Sequence, residues 1–167
     1  MKKLILIFTL MLLPLLASAQ QFRFGYFSME KVLPQVAGYA LARHQVDQLS
    51  QQYAAELKRA EDEFNAKYED FLSTQSTLAP SIRDKRQAEL KDLLMKNMAF
   101  KEQSRKLLDQ SEKAAMAPLR QKVYSALARI GEQQGLAFII NNDRGTLPYI
   151  NAQNGVDVTD QLLSILK

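Results

Sequence analysis

Few residues in this chain could carry out covalent chemistry, and their spacing argues against it. The 167 residues include one histidine and no cysteine, so a thiol nucleophile is impossible and His44 is the sole imidazole. It sits between Arg43 and Gln45 in a segment of helical periodicity, which suits a solvated helix position better than a metal or acid–base site. Asn141, Asn142 and Asp143 have the oxygen side chains that calcium prefers. A calcium loop, however, spreads its ligands over about 12 residues and closes with a glutamate, so this trio reads as a turn. Asp157 and Asp160 could pair as general acid and base, yet Asp157-Val158-Thr159-Asp160 is equally the capped start of a helix. The chain has no Gly-rich phosphate loop and no His/Cys metal spacing. The expectation is a protein that is not an enzyme and has no cofactor, acting through its surfaces.

The element that must present those surfaces is long and helical. From Val46 the apolar positions are Leu49, Tyr53, Leu57, Ala60, Phe64, Tyr68, Phe71 and Ala79, with only Gln75 breaking the series. The steps repeat as 3-4-4, an 11-residue period of about 3.67 residues per turn, which favours a nearly straight or weakly right-handed helix pair. A strict heptad would instead put Glu56, Glu63 and Lys67 in the seam. Helical character resumes after Gly38 and runs to about Thr74. A helix so much longer than the usual ~11 residues must pack along a partner. The partner is the run from Ile82 to about Gln134, and the turn lies at Leu78-Ala79-Pro80. Pro80 disfavours a helical Ala79 and fits the first turn of the next helix; Ser81 is a second possible cap. A connection this short makes the two helices antiparallel neighbours.

Folding at Ala79/Pro80 sets Phe64 near Met95 and Met98, Tyr68 near Leu90 and Leu94, and Leu49 near Leu107 and Leu108. Lys101–Lys106 contains no apolar residue, so the middle of the hairpin should be its loosest part. Leu72, Leu93, Met95 and Phe100 exceed the needs of the simplest seam and are candidates for gripping apolar segments of other proteins, a use that suits flexible methionine. Lys91, Lys96 and Arg105 are candidate polar contacts on the same arm. Val46–Ala79 has three basic and seven acidic residues, net −4, whereas Pro80–Gly131 has twelve and six, net +6. Mutual attraction of the two arms, helped by same-helix pairs such as Asp92/Lys96 and Glu102/Lys106, accounts for this asymmetry; the alternative is a basic face presented to an acidic partner. Pro118 lies inside the return helix, where a kink or break is expected; with Ala79 and Pro80 it completes the candidate hinge positions.

The remainder forms a small base. Phe22–Phe27 has strand character, Met29–Leu33 is a brief helix capped by Ser28, and Pro34 redirects it. Gly135 ends the long helix; Leu136–Ile140 and Thr146–Asn151 read as strands, and Thr159–Leu166 as a final helix. Phe24, Tyr26, Phe138, Ile140 and Tyr149 are candidates for the core or oligomer contacts of this body. So thin a core calls for oligomerisation. The fold class is therefore mainly α with a small β body, a long antiparallel helical hairpin, or coiled-coil arm, mounted on a short-stranded sheet. The expected boundaries are 20–38 and 132–167 for the body and 39–131 for the arm, with the tip near 78–81.

Residues 1–19 have the pattern of a secretory signal peptide: Lys2-Lys3, an apolar run over Leu4–Leu16, and the small-residue site Ala17-Ser18-Ala19. The apolar run is shorter than the ~20 residues a span needs. Loss of Lys2 and Lys3 lowers the formal charge from +4 to +2, which gives little support to nucleic-acid binding.

With these residues in view, the chain resembles the Skp/OmpH family of periplasmic chaperones over nearly all of its length after the leader. The resemblance rests on Phe24–Leu33, the Leu78-Ala79-Pro80 tip, Pro118-Leu119 with Val123 and Ala126-Leu127, Leu136–Asn141, and Asp157-Val158-Thr159 with Leu162-Leu163. It implies a periplasmic homotrimer with a β-rich body and three helical arms around a cavity, holding unfolded outer-membrane proteins without ATP before their membrane insertion. Two departures are the low net charge and the uncharged Gln110-Ser111, where some members carry a basic cluster. Contact with lipopolysaccharide or a membrane surface is accordingly left open. The alternative function is a structural coiled-coil scaffold or adaptor of the cell envelope with one fixed partner.

Overall fold

The computed structural model describes residues 22–166; the expected signal peptide lies outside them. Strand β1 (Phe24–Phe27) is followed by helix α1 (Met29–Val32), a 3-10 turn (Leu33–Gln35), and the long helices α2 (Tyr39–Thr74) and α3 (Pro80–Gln134). Then come β2 (Ile139–Asn141), a 3-10 turn (Asp143–Gly145), β3 (Gly155–Asp157) and helix α4 (Thr159–Leu166). The chain divides into two compact units, one of Gly38–Leu119 and the other of the flanking segments through Ala37 and from Arg120.

In the first unit, α2 and α3 run antiparallel. Ser73 and Thr74 turn their hydroxyls back onto the Asp70 carbonyl (2.8 Å each), competing with the helix ladder at its end. Thr77 closes the turn onto Thr74, and Pro80 opens α3 as its first residue. Ser81 therefore lies inside α3 rather than capping it. Cross-hairpin partners are Arg43 with Glu112, Tyr53 with Phe100 and Ala60 with Asn97. Each pair is offset a few residues from the expected register, because the turn is centred near Thr77 rather than at Ala79/Pro80. On α2 the buried or half-buried positions include Val46, Leu49, Tyr53, Leu57, Ala60, Phe64 and Phe71, the 3-4-4 stripe with only Tyr68 and Ala79 exposed.

The return helix corrects two expectations. Its covered positions include Leu90, Leu93, Asn97, Phe100, Ser104, Leu108, Ser111 and Ala115, steps of three and four with three polar residues among them. Leu94, Met95, Met98 and Leu107, assigned to the seam or its edge from the register, are exposed. The break expected at Pro118 is also absent, since α3 continues through it. Proline strands the carbonyl of Ala114, but Ala114 and Pro118 are both exposed, so water can satisfy that carbonyl.

The second unit holds the sheet, ordered β2-β1-β3 with both pairings parallel. Gly25 pairs with Ile139 and Val156, and Tyr26 with Ile140 and Asp157. Its core comprises Phe27, Val32, Val36, Val123, Ala126, Leu127, Ile130, Val158 and Leu162. At the end of α3, Leu136 N–H reaches the Gly131 carbonyl (3.0 Å) with Gly135 at φ 61, the left-handed closure that a residue without Cβ makes at low cost. The strand expected at Thr146–Asn151 does not form. Pro148 cannot donate to a ladder, and the third strand is instead Gly155–Asp157, whose Gly155 follows directly on Asn154, a dipeptide with turn character. A Cβ on Gly155 would lie 2.5 Å from Ile150 Cγ2 and 3.1 Å from Phe24 Cζ, so glycine lets the incoming loop fold tightly onto the strand. The final helix starts as expected, its Thr159 N–H donating to Asp157 Oδ1 (2.9 Å).

Candidate interaction surfaces

Two surfaces stand out, one in each unit. The hairpin's surface is a groove between the helices, built because the α3 seam spends positions on small polar side chains while larger apolar ones lie beside it. Ala54, Leu57, Phe64, Leu94, Asn97 and Met98 line a cavity of about 700 Å³. Ala54, Leu57, Met98 and Lys101 continue into a second cavity of about 490 Å³ with Tyr53, Ser104 and Leu108. Met98 and Met95 are 65% and 61% exposed. Nearer the tip, Phe71, Leu78, Leu90 and Leu93 floor a third hollow of about 430 Å³, rimmed by charges including Lys67, Asp70, Arg86 and Lys96.

The candidate contact residues are thereby divided. Leu72 and Met95 are exposed. Leu93 and Phe100 are half-buried in the seam, with the Phe100 ring 6.1 Å from that of Tyr53, because their spacing of seven matches two helical turns on the covered side. Leu94 and Met98 take the exposed apolar role; their i, i+4 spacing was visible in the sequence but was assigned to packing. Lys96 pairs with Asp92 (2.7 Å), and this bond and charge raise its pKa. Lys91, Lys101 and Arg105 make no ion pair among the described residues. Of those ion pairs, only Arg43–Glu112 (3.2 Å) crosses the hairpin. The charge asymmetry thus acts mainly through pairs within each helix. Exposed pairs of this kind contribute little to stability, because water and salt screen them.

The second surface is the outward face of the sheet. Burial alternates along β1, with Gly25 and Phe27 inward and Phe24 and Tyr26 half-covered on the other side. The parallel register sets Phe138 and Ile140 beside them. Phe24 stacks on Phe138 at 5.4 Å between centroids, and Phe22 tilts against Phe138 at 5.8 Å. Phe22 stays 60% and Phe138 46% exposed. Parallel sheets normally have both faces covered, so an aromatic face open to water is an unmet requirement of this unit. Tyr149 is 79% exposed and lies in the loop before β3, outside the ladder.

Beside this sheet, Asp143 fastens the β2–β3 loop to α1. Its carboxylate accepts from Ser28 Oγ (2.6 Å), Glu30 N–H (3.2 Å) and Asn141 Nδ2 (2.9 Å). Burial pushes its pKa up, but the bonds from Ser28, Asn141 and the Glu30 amide, with the nearby Arg144 charge, outweigh that and leave it lowered. Arg144 itself adopts φ 57 and pairs with Glu30 (3.1 Å). The carboxylate is thus fully engaged as a structural clasp.

Among the described residues no helix is long and apolar enough to cross a membrane. A search of curated proteins finds no match. Among solved structures, the chain is similar to a proposed outer membrane chaperone (OmpH-like) from Caulobacter crescentus CB15. The two share 14% identity at a TM-score of 0.65, over 87% of this chain and 83% of that one, a likeness of fold. The family model described as outer membrane protein (OmpH-like) matches residues 23–166. Spanning the sheet, both long helices and the closing helix, that match shows that the chain belongs to the OmpH-like family.

Proposed function

We propose that this protein is an ATP-independent periplasmic holdase that binds unfolded outer-membrane proteins and prevents their aggregation before membrane insertion. The observation that carries this reading is the hairpin groove, where Leu94 and Met98 remain exposed beside a half-buried floor of Leu57, Phe64 and Leu108. The groove is open along its length rather than enclosed, and methionine adapts to varied apolar segments. Leu72 and Met95 extend the apolar surface, and the unpaired Lys91, Lys101 and Arg105 give it a cationic edge.

Self-association into a homotrimer belongs to the same reading. The occupant of the sheet's outward face is a further copy of this chain, because that aromatic face lies on a unit too small to leave it bare. Residues 20–38 and 132–167, together with the end of α3 from Arg120 that supplies core residues to the same unit, act as the trimer body and the rest of 39–131 as the arm. Pro118, which α3 crosses without a break but with one ladder hydrogen bond fewer, and Ala79-Pro80 at the tip are the positions where the arm bends most easily. The family to which the chain belongs supports the chaperone class over an envelope scaffold.

Light scattering of several urea-denatured β-barrel proteins diluted into buffer without ATP tests the proposal. Stoichiometric suppression across the panel is expected. Suppression of none, with tight binding to a single native envelope protein, would establish the scaffold reading instead.

A further inference from the structure

One rung of the hairpin is unlike its neighbours. Ser104 occupies a seam position of α3 with 1% of its surface exposed, and its hydroxyl has no hydrogen-bond partner among the described residues. A serine inside a helix commonly bonds the carbonyl a turn earlier; here that compensation is missing, and a buried unpaired hydroxyl forfeits its hydration without replacement. The other central polar seam residue, Asn97, is satisfied by donating from Nδ2 to the Ala60 carbonyl at 2.9 Å. The seam is also thin in apolar side chains on the α3 side of this rung. Ser104 borders the 490 Å³ cavity with Tyr53, Ala54 and Leu57 opposite, and none of Lys101–Lys106 is apolar.

The polar clamps bracket this rung. Asn97–Ala60 lies on the tip side and Arg43–Glu112 on the other, and Ser104 falls about midway between Asn97 and Glu112, which are about 22 Å apart along the helix. No side-chain hydrogen bond or ion pair crosses the hairpin between those clamps among the described residues. We propose that the hairpin opens locally at Ser104: α2 and α3 separate and lose helical protection between the two clamps while the regions beyond stay closed. Opening admits water to the hydroxyl and widens the groove beside it, giving the arm a preset yielding point. This is a property of the hairpin itself and does not depend on the identity of any client.

Amide hydrogen exchange of the full chain, followed by mass spectrometry, tests it. In the wild type, peptides over 49–57 and 100–108 should exchange faster than those over 60–71 and 86–97. Ser104→Ala removes the unpaired hydroxyl and should slow exchange in 100–108 about tenfold. Ser111→Ala, a half-buried position on the same helix, controls for the higher helix propensity of alanine and should change its own segment by less than about threefold. Ser104→Asp should accelerate exchange in 100–108 at least tenfold without altering 86–97. Uniform protection along the wild-type hairpin, or an S104A effect no larger than that of S111A, would overturn the proposal.

Discussion

In the proposed homotrimer, replacing Phe138 with alanine should dissociate the copies while leaving each chain folded. Phe138 leaves 46% of its surface exposed, and an aromatic side chain offers about 200 Å² in all. About 90 Å² is therefore available for another copy to cover, worth about 2.3 kcal/mol at ~25 cal/mol per Å². Three copies lose up to about 7 kcal/mol, or about five powers of ten in the trimer association constant. Because the midpoint concentration of a monomer–trimer equilibrium follows the square root of that constant, it should rise about 300-fold. Mass photometry and sedimentation across a dilution series read this midpoint, and circular dichroism checks that helicity is kept. An F138A protein that stays trimeric at the wild-type midpoint would refute the assignment of the sheet face, as would a wild type that is monomeric throughout.

Two further outcomes follow from the geometry. Because the Asp143 pKa lies below its ordinary 3.8, its contribution to stability is complete above pH 3.8 and is lost as pH falls through the lower, folded value. Asp143→Asn should therefore be less stable at neutral pH and show a smaller acid loss than wild type; denaturant titrations at a series of pH values measure both, and an unchanged acid limb would contradict the clasp. Pro118→Ala supplies the missing amide to the Ala114 carbonyl on the exposed side of α3 and should stabilise the helix by about 1–3 kcal/mol. A raised thermal midpoint and slower exchange over 114–122 would show it; an unchanged midpoint would mean that the proline costs nothing where it stands.

The outgoing arm was legible because its pattern is written in large apolar residues: Val46 through Phe71 recur at 3-4-4, and the structure covers all of them but Tyr68. The return arm also steps by three and four, but Asn97, Ser104 and Ser111 fill seam positions while Leu94, Met95 and Met98 lie outside. A reading by hydrophobicity therefore holds at Leu90 and Leu108 and fails at Leu94, Met95, Met98 and Leu107. Packing on α2, not the residue types of α3, sets the covered face. The closing helix was legible through its Asp157–Thr159 cap. The third strand was not, because Gly155-Val156-Asp157 has little strand preference of its own and forms by pairing with β1, while Pro148 disrupts the better-looking segment. The aromatics of the sheet were visible as residue types, but their shared outward face required the parallel register of β1 and β2. Asp143 was read as a turn residue, and its reach to Ser28 and Glu30 on α1 has no local signal.

The central claim is that the hairpin groove holds unfolded chains, and site-specific photo-crosslinking reads this directly. A photoreactive amino acid placed singly at Leu94, Met98, His44 or Lys113 is irradiated with a urea-denatured β-barrel protein diluted into the full-length assembly. Strong adducts from positions 94 and 98, with little from the solvated positions 44 and 113, are the predicted result. Equal yields at all four positions, or none at 94 and 98 under conditions where aggregation is suppressed, would contradict it.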